Sequence, residues 1–164
     1  MVACGGGDSS RVAWRDLELT VPDGWTVFEE EDTRLSLANQ PLGAEIDEDD
    51  LPEGEVVAMF FTHRPGVTPG EWRDHIEETG ATLEVDEATE VGGVPATRLQ
   101  FLTPSRDVAA TNRELVVVVP ARGVELLAQP VPLPGDDDAP GTFDRTVATF
   151  DEVIDSISWG VPIE

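Results

Sequence analysis

Cysteine occurs once in the 164 residues, histidine twice, and lysine and tyrosine not at all. A single cysteine excludes disulfides within the chain. One Cys and two widely separated His leave zinc short of ligands. Nucleophilic catalysis is poorly supplied for the same reason: there are two candidate bases, His63 and His75, and no serine sits on a strand-to-helix turn between glycines. Both histidines read as structural or surface imidazoles. Positive charge is equally scarce, with ten basic residues, all Arg, against 34 acidic ones and a net charge of −24. Such a field repels nucleic-acid phosphates and anionic lipid heads, so neither is an expected partner. It also costs self-repulsion in the folded state, which salt would screen. The charge reads as a solvated, solubilising surface. No apolar run approaches the ~18 residues that cross a bilayer, so membrane attachment would have to go through a lipid.

A hydrophobic content of 40% in this length suffices for one domain with one core. Cys4 stands behind Met1-Val2-Ala3 and ahead of Gly5-Gly6-Gly7. That arrangement resembles the start of a bacterial lipoprotein just after its signal peptide. The lipobox has Leu three positions before a Cys whose thiol receives diacylglycerol, and here Met1 holds the Leu position. A Leu or Val codon read as the start would produce this beginning, which puts an export signal upstream. We therefore expect lipidation at Cys4, a flexible tether over residues 1–12 and a single domain over 13–164. The expected location is the extracytoplasmic face of the cell membrane. The alternative is a cytoplasmic chain with an incidental Cys near its start.

Local patterning then gives an α+β chain. Leu17, Leu19 and Val21 alternate with Glu18 and Thr20, the period of a half-buried strand. Pro22-Asp23-Gly24 turns the chain, and extended segments follow at Trp25–Phe28 and around Leu35 and Leu37. Residues 43 to 55 read as an acidic loop. Glu55 to His63, almost wholly apolar, fits a strand covered on both faces. Thr68-Pro69-Gly70-Glu71 is a helix start, with a capping Thr, Pro at the first helical position and Glu three after the cap. That helix would carry Trp72, Ile76 and Thr79 on one side and stop at Gly80. Two hairpins follow, one turning at Gly92-Gly93 and one at Ala121-Arg122-Gly123, the second built on Val116–Val119. Beyond the loop from Pro132 to Gly141, Thr142 reads as a cap. Phe143, Val147, Phe150, Val153, Ile154 and Ile157 then form the apolar stripe of a helix whose Asp144, Asp151, Glu152 and Asp155 face outward.

Three short segments carry a family likeness: Val21-Pro22-Asp23-Gly24-Trp25 after the first strand, Val91-Gly92-Gly93-Val94-Pro95-Ala96 before a long strand, and Phe150 to Trp159 in a closing helix. With the order of elements, they resemble the PsbP-like fold family, which includes many actinobacterial lipoproteins, over about residues 14 to 160. The resemblance implies an antiparallel sheet of six to eight strands sandwiched between helices, used for binding and scaffolding. It brings no shared catalytic residues. The strong acidity departs from many relatives.

Other chemistry finds little support. Paired carboxylates are uninformative among 34 acids, and acid catalysis at neutral pH needs a carboxyl raised by apolar burial, for which no candidate stands out. Residues 45 to 50 and 136 to 138 offer hard oxygen ligands, yet neither follows a calcium-loop pattern, so no metal site and no cofactor are expected. Trp14, Trp25, Trp72 and Trp159 read as core. The function expected is a non-catalytic, lipid-anchored extracytoplasmic binding or accessory domain. Its partners would be the membrane, through the N-terminal lipid only, and a protein or small molecule that the sequence does not name. The alternatives are a hydrolase using acidic residues in a cleft and a cytosolic protein-interaction domain.

Overall fold

The computed structural model of the chain describes residues 10–40, 56–104, 111–131 and 139–161. Among the described residues ten strands, two α-helices and a short 3-10 turn at Pro120–Arg122 build an α+β fold. The main sheet holds seven antiparallel strands, β3 (Thr26–Glu30), β4 (Arg34–Ala38), β5 (Val57–His63), β6 (Thr82–Val91), β7 (Val94–Pro104), β8 (Thr111–Val119) and β9 (Val124–Pro130). They lie in the order β3-β4-β5-β9-β8-β7-β6. The expected strand number and antiparallel pairing are thus met by this sheet. A second sheet of three strands, β1 (Arg11–Trp14), β2 (Leu17–Thr20) and β10 (Ser158–Trp159), was not expected.

The two faces of the main sheet are both covered, as the Val run requires. On β8, Leu115, Val117 and Val119 point one way, into a cluster with Phe143, Phe150 and Val153 of helix α2 (Ala139–Asp155) and with Leu17 and Leu19 of the small sheet. Val116 and Val118 point the other way, into a cluster with Leu99, Phe101 and Ile76 of helix α1 (Pro69–Glu78). A strand with period-two side chains can feed two cores only when every position is apolar.

Several boundaries differ from expectation for identifiable reasons. Arg11 and Val12, placed in the tether, form the first half of β1, where Val12 packs on the core. Trp159 is not in the closing helix. The helix ends at Asp155, and Ser158–Trp159 pair with Leu17 and Glu18 of β2. Ile157 stays buried after the helix, so the apolar spacing ran past the helical backbone. Thr142 does not cap α2, which begins three residues earlier. It is buried in the first turns, with Oγ1 accepting from Arg145. Pro140 is tolerated there because first-turn N–H groups lack helical partners. Asp151 is half-buried rather than fully outward, since Arg98 of β7 donates to it at 2.6 Å. Of the four Trp, Trp14 is buried, and Trp25, Trp159 and Trp72 pack half-buried against the two core clusters. Among the described residues no helix is long and apolar enough to cross a membrane.

Candidate functional site

The α1 cap forms as the sequence predicts: the backbone N–H of Glu71 donates to Thr68 Oγ1 at 3.4 Å, with Pro69 in the first turn. The Glu71 carboxylate has a different partner from the one a capping box assigns. It accepts from Arg64 Nη2 at 2.9 Å, across the segment that joins β5 to α1. Arg64 also donates to Glu125 Oε2 of β9 at 3.1 Å, and the indole N–H of Trp72 donates to that same oxygen at 2.7 Å. One guanidinium nitrogen therefore bridges two carboxylates, one of which is also held by an indole.

Together with His75, these side chains line a groove of about 310 Å³ between α1 and the ends of β5 and β9. Helical spacing puts Glu71 and His75 on one side of α1, at i and i+4. Trp72 is braced from behind by Phe101, ring centres 6.3 Å apart, and meets the His75 ring edge-on at 5.6 Å. Glu125 is largely enclosed, its side chain 15% exposed, whereas Arg64 and Glu71 are 46% and 50% exposed.

Near His75, on the same face of the sheet, lies Glu114 of β8. Burial raises its pKa above the ordinary carboxyl value, opposed by a hydrogen bond from Thr103 Oγ1 and by the positive field of His75. A carboxyl whose folded-state pKa is raised binds more protons folded than unfolded, so it costs stability as pH rises above its unfolded value. Glu114→Gln is accordingly expected to raise the melting midpoint at pH 7. The gain should shrink as pH falls into the ordinary carboxylate range, where the unfolded chain is protonated too. Melts of both proteins from pH 4 to 7 check this.

His63 and His75 do not come together. His63 follows Phe61 on the opposite face of β5, where burial and the charge of Arg15 lower its pKa while Asp16 opposes them. Beside it, Arg122 donates to Asp16 Oδ2 at 2.7 Å and lies over the Trp159 ring at 5.2 Å. Two further cavities, about 480 and 380 Å³, flank Trp25 and Trp159. Cys4 and the acidic stretches 45–50 and 136–138 lie outside the described residues. Among the described residues no three His, Cys, Asp or Glu side chains gather as metal ligands would.

The groove was not foreseen from the sequence, because its members come from three separate segments. One signal was available: Glu125 interrupts the strand Val124–Ala128 at a position that, in a sheet covered on both sides, needs a partner.

No protein-family profile matches the chain, and no curated protein matches it in sequence. Solved structures do. The Ran-binding protein Mog1p of Saccharomyces cerevisiae is similar with a TM-score of 0.56 at 15% identity, over 93% of this chain and 95% of that one. Cyanobacterial PsbP (CyanoP) from Synechocystis sp. PCC 6803 is similar with a TM-score of 0.51 at 16% identity, over 97% of this chain and 98% of that one. At such identities the likeness concerns architecture: this chain has a PsbP/Mog1-like fold.

Proposed function

We propose that this chain is a non-catalytic binding or accessory domain, held on the extracytoplasmic face of a membrane by a lipid on Cys4. The observation that carries the binding reading is the α1 groove, where an indole and two carboxylates are fixed by mutual hydrogen bonds around an open space. Prepositioned groups of this kind suit recognition, because little ordering remains to be done when a ligand arrives. One structural neighbour is a Ran-binding protein, which supports a binding use of the fold. The rival hydrolase reading draws on Glu114, whose raised pKa suits an acid. Glu114 does not line the groove, whose own carboxylates are both engaged, Glu71 with Arg64, and Glu125 with Arg64 and Trp72.

The anchor is supported by the sequence around Cys4, seven positions ahead of Arg11, where β1 begins. Expressed in its own host from the full gene, the protein should partition with membranes, and the Cys4→Ser form should be soluble or stay unprocessed. Equal membrane association of the two forms, with the Cys4→Ser form cleaved from its signal, refutes the lipid anchor. Solubility of both favours the cytosolic alternative.

A further inference from the structure

We infer that the α1 groove is a receptor for a single guanidinium group, and that the protein's own Arg64 occupies the place of that group when no ligand is bound. This rests on reading the groove as a binding site and names what it binds.

Charge decides first between cation and anion. The groove sets the carboxylates of Glu71 and Glu125 against one guanidinium, within a chain of net charge −24. An anion would approach two carboxylates whose guanidinium partner, Arg64, is already shared between them. A cation gains both the local pair and the long-range field.

Geometry then decides what kind of cation. Arg64 Nη2 sits 2.9 Å from Glu71 Oε2 and 3.1 Å from Glu125 Oε2, so the gap between the carboxylates already accommodates a guanidinium nitrogen. A planar fork can bridge two carboxylates and lie against an indole, which a compact ammonium does less well. Trp72, held by Glu125 and backed by Phe101, supplies that indole at the groove wall. The volume of about 310 Å³ lies at the small end of the roughly 300–1,000 Å³ usual for ligand sites, which suits one side-chain-sized group.

Arg64 is displaceable. It is half exposed, and ion pairs at that exposure hold weakly because water competes and two long side chains must be ordered. An incoming guanidinium would exchange with it for the same oxygens while Arg64 turns out into solvent. The source of the group is either a small guanidine compound or an arginine side chain of a peptide, and the two share this chemistry.

Calorimetric titration of the purified chain distinguishes them, with agmatine as one probe and an end-capped Gly-Arg-Gly peptide as the other. Binding of either supports the assignment, and the tighter one identifies the source. The Lys counterpart of the peptide should bind more weakly. Removing the competitor, Arg64→Ala should tighten binding, whereas Glu71→Gln and Glu125→Gln should each weaken it by about tenfold or more, the loss of one charge-assisted bond. A purely structural Arg64 would not yield a tighter site on removal. Glu71 is half exposed on a helix surface, so its variant remains informative even where Glu125→Gln impairs folding. Weaker binding by Arg64→Ala, or no binding by the wild type and Arg64→Ala alike, overturns the assignment. Because the titration needs no membrane, its failure is distinct from a failed partition of the Cys4 forms.

Discussion

Phe150→Ala is expected to destabilise the fold by about 3 to 5 kcal/mol, a large share of the ~5 to 15 kcal/mol that holds a domain together. Phe150 is 0% exposed. Its ring meets Trp25 edge-on at 6.2 Å and Phe143 at 5.9 Å, so it joins α2 to the turn that follows β2. Truncation removes those contacts and leaves a void that neighbours on a sheet and a helix cannot fill. Asp155→Ala is the matched control on the solvent side of α2, expected to stay within about 0.5 kcal/mol of wild type. Asp151 would not serve, because its loss strands the largely buried Arg98. Urea denaturation of the two variants measures both. Wild-type midpoints for both would remove α2 from the core.

Gly92→Ala should have the second large effect, and it tests how the chain end is secured. Gly92 has φ +55°, and a Cβ there would lie 2.8 Å from the backbone O of Ile157 and 2.8 Å from Trp159 Cδ1. The left-handed backbone costs an L-residue about 1–2 kcal/mol and the overlap about 1–3 more, for a total of roughly 2–5 kcal/mol. Its neighbour separates the two contributions. Gly93 has φ +78° and nothing within 4 Å of a Cβ, so Gly93→Ala should cost only the conformational share, about 1–2 kcal/mol. A clearly larger loss at Gly92 is the expected result in denaturation. Equal losses would mean that Trp159 does not pack on the turn, contrary to its indole N–H donating to Val91 O at 2.8 Å.

These residues also mark what a sequence can disclose. Val116–Val119, the Thr68 cap and the Phe143–Ile154 stripe were legible because each pattern lies within a few turns or residues of chain. The Gly92-Gly93 turn was legible for the same reason, both residues having positive φ. The alternation of Leu17 and Leu19 disclosed β2, but the small sheet was not legible, since the partners of β2 are strands of four and two residues, the latter from the far end of the chain, too short to show a period. Trp159 looked helical only because apolar spacing continued through Ile157 after the backbone had left the helix. Thr142 looked like a cap because the side chains that suit caps also occur one turn inside a helix. The groove was hidden by distance along the chain: Arg64 and Trp72 reach Glu125 across 61 and 53 positions. The raised pKa of Glu114 likewise reflects its burial in the folded chain, with Thr103 and His75 brought near from other segments, which no local pattern records.

The most direct test of a guanidinium receptor beneath α1 is the indole region of a proton–nitrogen correlation spectrum during addition of agmatine, with Trp72 assigned from Trp72→Phe. The Trp72 indole N–H donates to Glu125 inside the groove, whereas those of Trp14 and Trp159 donate to the backbone O of Glu31 and Val91 elsewhere. Exchange at Glu125 should shift the Trp72 signal in a saturable way and leave Trp14, Trp25 and Trp159 in place. A spectrum in which no indole signal moves, or in which one of the other three moves while Trp72 stays fixed, would contradict the assignment of this groove.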